Sequence, residues 1–404
     1  MEEELSHSPF QPNDPVNPKK FKGRQEIIKQ IDRYIPNARN GIVQHFYLTG
    51  KRGMGKTSLA NYLLDNYERN HNTIGVHVVN DGIHDIESLL TSIVEILLNK
   101  NKTETWYNKL YDGLKDEVKS IGILGNSIEF RPKKETVEML RTHFATFLRE
   151  LSEESKQNFI IVIDDVNGLS QTKEFANWYK SLADTLALKD YYGKTRVAFI
   201  LTSYPDKLTL LHNHNPSFTR IFHQYNLPEL TTEEIREFYI DNFNLSNIKL
   251  DEDALKSMIY FCSGMPTMMQ EIGDAIYWTI DDTLQVSKEK SMQGILLACT
   301  NIGRKYLKPV LDNKIKSGNY KIIFEKISEL VISEGYLTFF KKDVNKLLTP
   351  EESKSLDGFL KRAKELKIIE QNENHTPGEY EFSNKLYPIY FLVQKEIGDK
   401  QVSL

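Results

Sequence analysis

The stretch from Phe46 to Ala60, Phe-Tyr-Leu-Thr-Gly-Lys-Arg-Gly-Met-Gly-Lys-Thr-Ser-Leu-Ala, constrains this chain more than any other. An apolar run ends at Gly50, four residues intervene, Gly55-Lys56-Thr57 follows, and a helical pattern then continues through Leu63 and Leu64. A buried strand feeding a glycine loop and then a helix N-terminus makes a cradle for phosphate. Glycines at 50, 53 and 55 allow positive φ and close approach of backbone to a ligand. The amides of Lys51, Arg52, Gly53, Met54 and Gly55, with the free N–H groups of the first helical turn through Ser58, then converge on an anion. Lys56 is expected to reach the β- and γ-phosphates, and the Thr57 hydroxyl to hold Mg²⁺. The plain alternative is a glycine turn with an incidental lysine.

A second apolar run, Phe159-Ile160-Ile161-Val162-Ile163, leads into Asp164-Asp165. Such a run suits a central parallel strand covered on both faces. Its C-terminal end is where open α/β sheets bind ligands. Asp164 is expected to hold Mg²⁺ through its water shell and Asp165 to orient or deprotonate the attacking water. A third run, Arg196 to Ser203, ends in Thr202 and Ser203. A hydroxyl there, Ser203 ahead of Thr202, would sense the γ-phosphate; the other reading is a simple strand exit through Tyr204-Pro205-Asp206. The segment Phe218–Leu227 reads as a last strand after a polar loop. Alternating strands and helices to this point predict an α/β parallel sheet.

Four segments are expected: a flexible, proline-rich arm over 1–20, an α/β domain over 21–230, a helical lid over 231–317 and a winged helix over 318–404. Gly23-Arg24, upstream of the loop, is either a plain helix start or a lip over the adenine. In the helical part, Gly264-Met265-Pro266 is either a helix stop and restart or a means of pressing Pro266 on the base. The last segment reads as three helices followed by a β-wing at Ile368–Gln371 and Glu379–Phe382. Its third helix, Ser355–Lys367, carries Lys361, Arg362, Lys364 and Lys367 outward, an arrangement that fits either DNA contact or a solvated face.

Bulk composition narrows the partners. A net charge of −4 leaves no global basic field to draw the chain to nucleic acid or membrane, so any such binding is local. Two cysteines, Cys262 and Cys299, exclude a disulfide scaffold and a cysteine zinc site and suit a reducing cytosol. The acidic N-terminus has no apolar core like that of a signal peptide, and no apolar run nears the ~18 residues of a membrane span. A cytoplasmic protein is expected.

Together these motifs resemble the AAA+ superfamily, nearest to STAND and archaeal-type ATPases and to origin-recognition initiator ATPases, from Phe21 to roughly Phe391. Gly23-Arg24 resembles the N-terminal box, Gly50–Thr57 Walker A, Ile160–Asp165 Walker B, Ser203 sensor 1, and Gly264-Met265-Pro266 the STAND Gly-x-Pro element. Two positions depart from ordinary AAA+ enzymes: Asp165 stands where most have Glu, and Thr267 falls near the sensor-2 arginine. Both departures resemble STAND proteins and imply a slow ATP/ADP switch rather than a motor. Arg220 resembles the box VII arginine, which implies reach to a neighbour's γ-phosphate in a homo-oligomer; its other role is a surface or lid salt bridge. The resemblance leaves three functions open: an ATP-dependent switch, an ATP-licensed DNA-binding initiator or transposition module, and a nucleotide-bound scaffold for a partner protein.

Overall fold

The computed structural model describes residues 7–80, 82–100, 123–124, 127–128, 137–308, 315, 317–334, 338–371 and 376–402. The chain divides into two compact units, one of Pro15–Pro228 and one joining Met1–Asp14 to Glu229–Leu404.

The first unit is built on a parallel sheet of β1 (Gln44–Thr49), β2 (Thr73–Val79), β5 (Asn158–Asp164), β6 (Val197–Ser203) and β7 (His223–Asn226), in the order β2-β5-β6-β1-β7. A small antiparallel pair, β3 (Ile123–Leu124) and β4 (Ser127–Ile128), is separate from it; most of 101–135 falls outside the described residues. The helices are α1 (Gln25–Arg39), α2 (Lys56–Asn70), α3 (Ile86–Lys100), α4 (Val137–Ser155), α5 (Lys173–Leu186) and α6 (Pro205–His214). The central strands β1, β5 and β6 are buried almost throughout, as a sheet covered on both faces requires. This is the P-loop α/β fold that the alternating pattern predicts.

Two local expectations are corrected. The polar stretch after Ser203 is a helix rather than a loop: Pro205 sits at its first position, where a missing N–H costs nothing. The strand expected from Phe218 begins only at His223, because Phe218 turns inward through the 3₁₀ segment Thr219–Ile221. Its fully buried ring packs against Tyr47, Phe175, Tyr179 and Phe222.

The second unit continues with α7 (Thr232–Asn244), β8 (Lys249–Leu250), α8 (Glu252–Cys262), α9 (Pro266–Tyr277), β9 (Gln285–Val286) and α10 (Lys288–Ile302). After these come α11 (Gly318–Glu334), β10 (Thr338–Phe340), α12 (Lys341–Leu347), α13 (Pro350–Glu365), β11 (Ile369–Glu370), β12 (Glu379–Phe382) and α14 (Leu386–Val402). The last three strands form an antiparallel sheet in the order β10-β12-β11. Helix α13 starts earlier than its apolar pattern suggests, since Thr349 and Glu352 form a capping box ahead of it and Pro350 opens it. One apolar core runs from α7 to α14. After α10 the chain winds into a π turn over Gly303–Leu307. There a Cβ on Gly303 would lie 1.9 Å from the Tyr390 ring, so only glycine fits.

The N-terminal segment, expected as a mobile arm, carries a buried anchor within this unit. Phe10 is 4% exposed and packs against Phe238, Tyr239 and Phe243, and Gly273 of α9 makes room for its ring. No described helix is long and apolar enough to cross a membrane.

Candidate functional site

The glycine loop joins β1 to α2. Gly53 and Gly55 take φ of 82° and 80°, a region that L side chains rarely adopt. Gly50 has a different reason to be glycine: a Cβ there would press on the Cβ atoms of Met54 and Leu227, both at 3.3 Å. Met54 is buried and anchors the turn, while Lys51 and Arg52 are exposed. Arg24, the left-handed N-cap of α1 next to Gly23 at φ 80°, is buried and donates to the Met54 carbonyl at 3.4 Å. Arg24 therefore braces the loop through the Met54 carbonyl. Ser58 accepts from the Val16 amide at 3.3 Å.

Lys56 opens α2. Its Nζ donates to the carbonyls of Gly50 (3.0 Å) and Lys51 (3.3 Å) and lies 4.7 Å from the centre of the Tyr204 ring. Burial lowers its proton affinity, partly offset by the negative charges of Asp165 and Asp164. The loop lysine and both acids therefore share one electrostatic site.

Asp164 is the hub of that site. It is buried at the end of β5, where Thr202 donates to its Oδ1 and His77 Nε2 lies 3.3 Å from its Oδ2. Burial alone would raise its pKa; the His77 and Thr202 side chains beside it, with a smaller contribution from Thr57, outweigh that and hold it below the usual carboxylate range. The carboxylate thus stays ionised while buried. Asp165 is exposed, at a left-handed φ of 62°, with its amide on Thr202 Oγ1 at 2.9 Å.

Thr202 and Ser203 separate here. Neighbours on a strand point to opposite faces, so only one can meet Asp164. That one is Thr202. Ser203 accepts from the Tyr47 hydroxyl at 2.9 Å and donates to the Tyr204 carbonyl. Sequence reasoning missed His77 and Tyr204; the one signal for His77 was a polar side chain inside the β-branched run Val76–Val79. Arg220 lies exposed on the 3₁₀ turn and makes no hydrogen bond or ion pair with the described residues. Pro266 belongs to the other unit, where it opens α9 after Gly264 at φ 70°.

A glycine loop and an ionised acid meeting beside a threonine hydroxyl at the ends of parallel strands define a P-loop nucleotide site. Residues 20–188 match the family described as AAA ATPase domain, and that part of the chain is an AAA+ P-loop domain. None of the curated proteins matches the chain in sequence. Among solved structures, it is similar to the ORC2 protein of Aeropyrum pernix in ADPNP-ADP complexes, with a TM-score of 0.59, 10% identity and coverage of 95% of this chain and 98% of that one. Cdc6p from Pyrobaculum aerophilum is similar at a TM-score of 0.50, 15% identity and coverage of 97% and 98%. Identities this low establish a shared fold.

Proposed function

We propose that this protein binds ATP with Mg²⁺, hydrolyses it slowly to ADP and phosphate, and works as a cytoplasmic, nucleotide-dependent switch whose state passes to a C-terminal winged helix. The observation that carries this reading is Asp164, buried at the end of β5, accepting from Thr202 of β6 and acting with Asp165 on the charge of Lys56 in the loop. In this reading Gly50, Lys51, Arg52, Gly53, Met54, Gly55 and Ser58 wrap the phosphates, and Lys56 pairs with them. Thr57 and Asp164 hold the metal, which neutralises charge developing on the phosphate oxygens. Asp165 orients the attacking water, and Thr202, rather than Ser203, couples the acids to the phosphate end of the site. Gly23 and Arg24 lie on the base side. The nucleotides named for the Aeropyrum pernix protein support an adenine ligand. Residues 231–317 act as the lid and 318–404 as the winged helix, for which α11, α12 and α13 with the sheet β10-β12-β11 supply the parts.

Phosphate release tests this. Mg²⁺-dependent turnover well below the roughly 10 s⁻¹ of a median enzyme is expected. A protein without Mg²⁺-dependent ATP binding would overturn the reading.

A second reading, DNA binding licensed by ATP, is favoured by Lys361 and Lys364, both exposed on α13. Arg362 is instead paired with Glu365 at 3.2 Å. Neutralising Lys361, Arg362 and Lys364 should flatten the salt dependence of DNA affinity; an unchanged slope ends this reading. Arg220, exposed and without a partner among the described residues, supports action on a neighbouring copy. Mass measurement in solution with ADP and with a non-hydrolysable ATP analogue tests it: assembly on the analogue that Arg220→Ala abolishes is expected, and a monomer under both conditions excludes it.

A further inference from the structure

Lys56 has three N–H donors and no acceptor. Two contacts go to the Gly50 and Lys51 carbonyls, and the Tyr204 ring covers a third side at 4.7 Å. The ammonium is half-buried, so its hydration is incomplete. An anion that reaches Lys56 from the side of Tyr204 must displace the ring. A charge-assisted bond to phosphate is strong, and a ring face is the weakest of the three contacts present.

The backbone of Tyr204 is fixed. Its amide donates to Asn167 Oδ1 at 3.2 Å, and its carbonyl accepts from Ser203 Oγ at 2.9 Å and from the Lys207 and Leu208 amides of α6. What remains free is rotation of the side chain, whose hydroxyl lies within the fields of Asp165, Arg52 and Asp206. A pinned backbone with a turnable ring on the loop lysine is a contact that can be exchanged without moving the strand.

We propose that Tyr204 is a positioning residue that competes with nucleotide for Lys56, its ring holding the loop lysine until a triphosphate takes it. This rests on the nucleotide-site reading above and adds a control to it. The ring weakens ATP binding and turns away when ATP is bound. The residue that follows Ser203 thus sets the affinity threshold of the switch.

Titration calorimetry with ATP and Mg²⁺ on the full chain tests this in the wild type, Lys56→Ala, Tyr204→Phe and Tyr204→Leu. Leucine removes the π face and phenylalanine keeps it, so Tyr204→Leu should bind ATP about 2- to 30-fold more tightly, while Tyr204→Phe matches the wild type. A spectroscopic readout accompanies it: the Lys56 ε-protons should show an upfield ring-current shift that ATP abolishes and that Tyr204→Leu lacks. If the wild type binds ATP and Tyr204→Leu binds it equally or more weakly, or if Tyr204→Phe behaves like Tyr204→Leu, the proposal is wrong while the nucleotide site stands. A wild type that binds no ATP, or a Lys56→Ala variant that binds as well, overturns both.

Discussion

Thr202 donates its hydroxyl to Asp164 Oδ1 and accepts from the Asp165 amide at 2.9 Å, so one side chain on β6 fixes both acids at the end of β5. The strand order puts β6 between the glycine-loop strand and the acid strand, which makes this bridge possible. Thr202→Val keeps the shape and removes both bonds. It should cost about 1–3 kcal/mol of stability, the range for a buried polar group left without its partner. Phosphate release should fall more than ATP affinity does. Ser203→Ala, on the Tyr47 side, should affect hydrolysis less. Urea unfolding and a phosphate-release assay on both variants check this, and a larger loss of turnover for Ser203→Ala would contradict it.

Asp165 sits at a φ of 62°, where Asp and Asn are tolerated better than longer side chains. Asp165→Asn should therefore melt near the wild type while retaining bound ATP. Asp165→Glu puts the acid common in ordinary AAA+ enzymes onto a backbone that disfavours it, at a cost of about 1 kcal/mol. Its turnover should equal or exceed that of the wild type, because the longer arm reaches further toward the water. Equal hydrolysis by the Asn and Glu variants would exclude Asp165 as the water-orienting group.

His45 on β1 is buried, stacked on Phe199 and bonded through Nδ1 to the Tyr179 hydroxyl at 3.0 Å. Burial, with a smaller contribution from the charge of His223, depresses its pKa to about 3. Between that value and the ~6.5 of a free histidine, the unfolded chain binds a proton that the fold refuses. Stability therefore falls as pH falls through this window, by about 1.4 kcal/mol per unit from this group. His45→Gln keeps a partner for Tyr179 and should flatten the slope between pH 7 and 4. Parallel slopes in urea midpoints would show that His45 does not carry it.

Phe10 is held by three aromatic rings and by the absence of a side chain at Gly273, where a Cβ would lie 2.3 Å from its ring. Phe10→Ala should cost about 3–5 kcal/mol in the unit containing residues 229–404. Gly273→Ala should do comparable damage by ejecting the same ring. A melting transition unchanged in both variants would mean that the N-terminal segment contributes nothing to that core.

The parts of this protein with local chemical signatures were legible in its sequence. The loop at Gly50–Thr57 and the run into Asp164 announce themselves because glycine conformations and unbroken apolar strands have few other uses. The contacts that complete the site come from strands distant in sequence and leave little local trace. His77 reaches Asp164 only because β2 pairs with β5 in the register that sets His77 against Val162. The choice between Thr202 and Ser203 depended on which face of β6 meets the acids, and two adjacent hydroxyls carry no phase of their own. Gly50 serves close packing on Met54 and Leu227 rather than a turned backbone, which Gly53 and Gly55 supply, and a glycine in sequence does not say which of these it is for. Helix α6 was hidden by the proline that begins it, and the buried Phe10 by a polar, proline-rich surrounding.

The central claim is that Lys56 and Asp164 act on one triphosphate–metal unit. The most direct test is ATP affinity with and without Mg²⁺ for the wild type, Lys56→Ala and Asp164→Asn. Lys56→Ala should lose binding under both conditions, and Asp164→Asn should lose only the increment that Mg²⁺ adds. Three identical affinities, indifferent to Mg²⁺, would contradict the account.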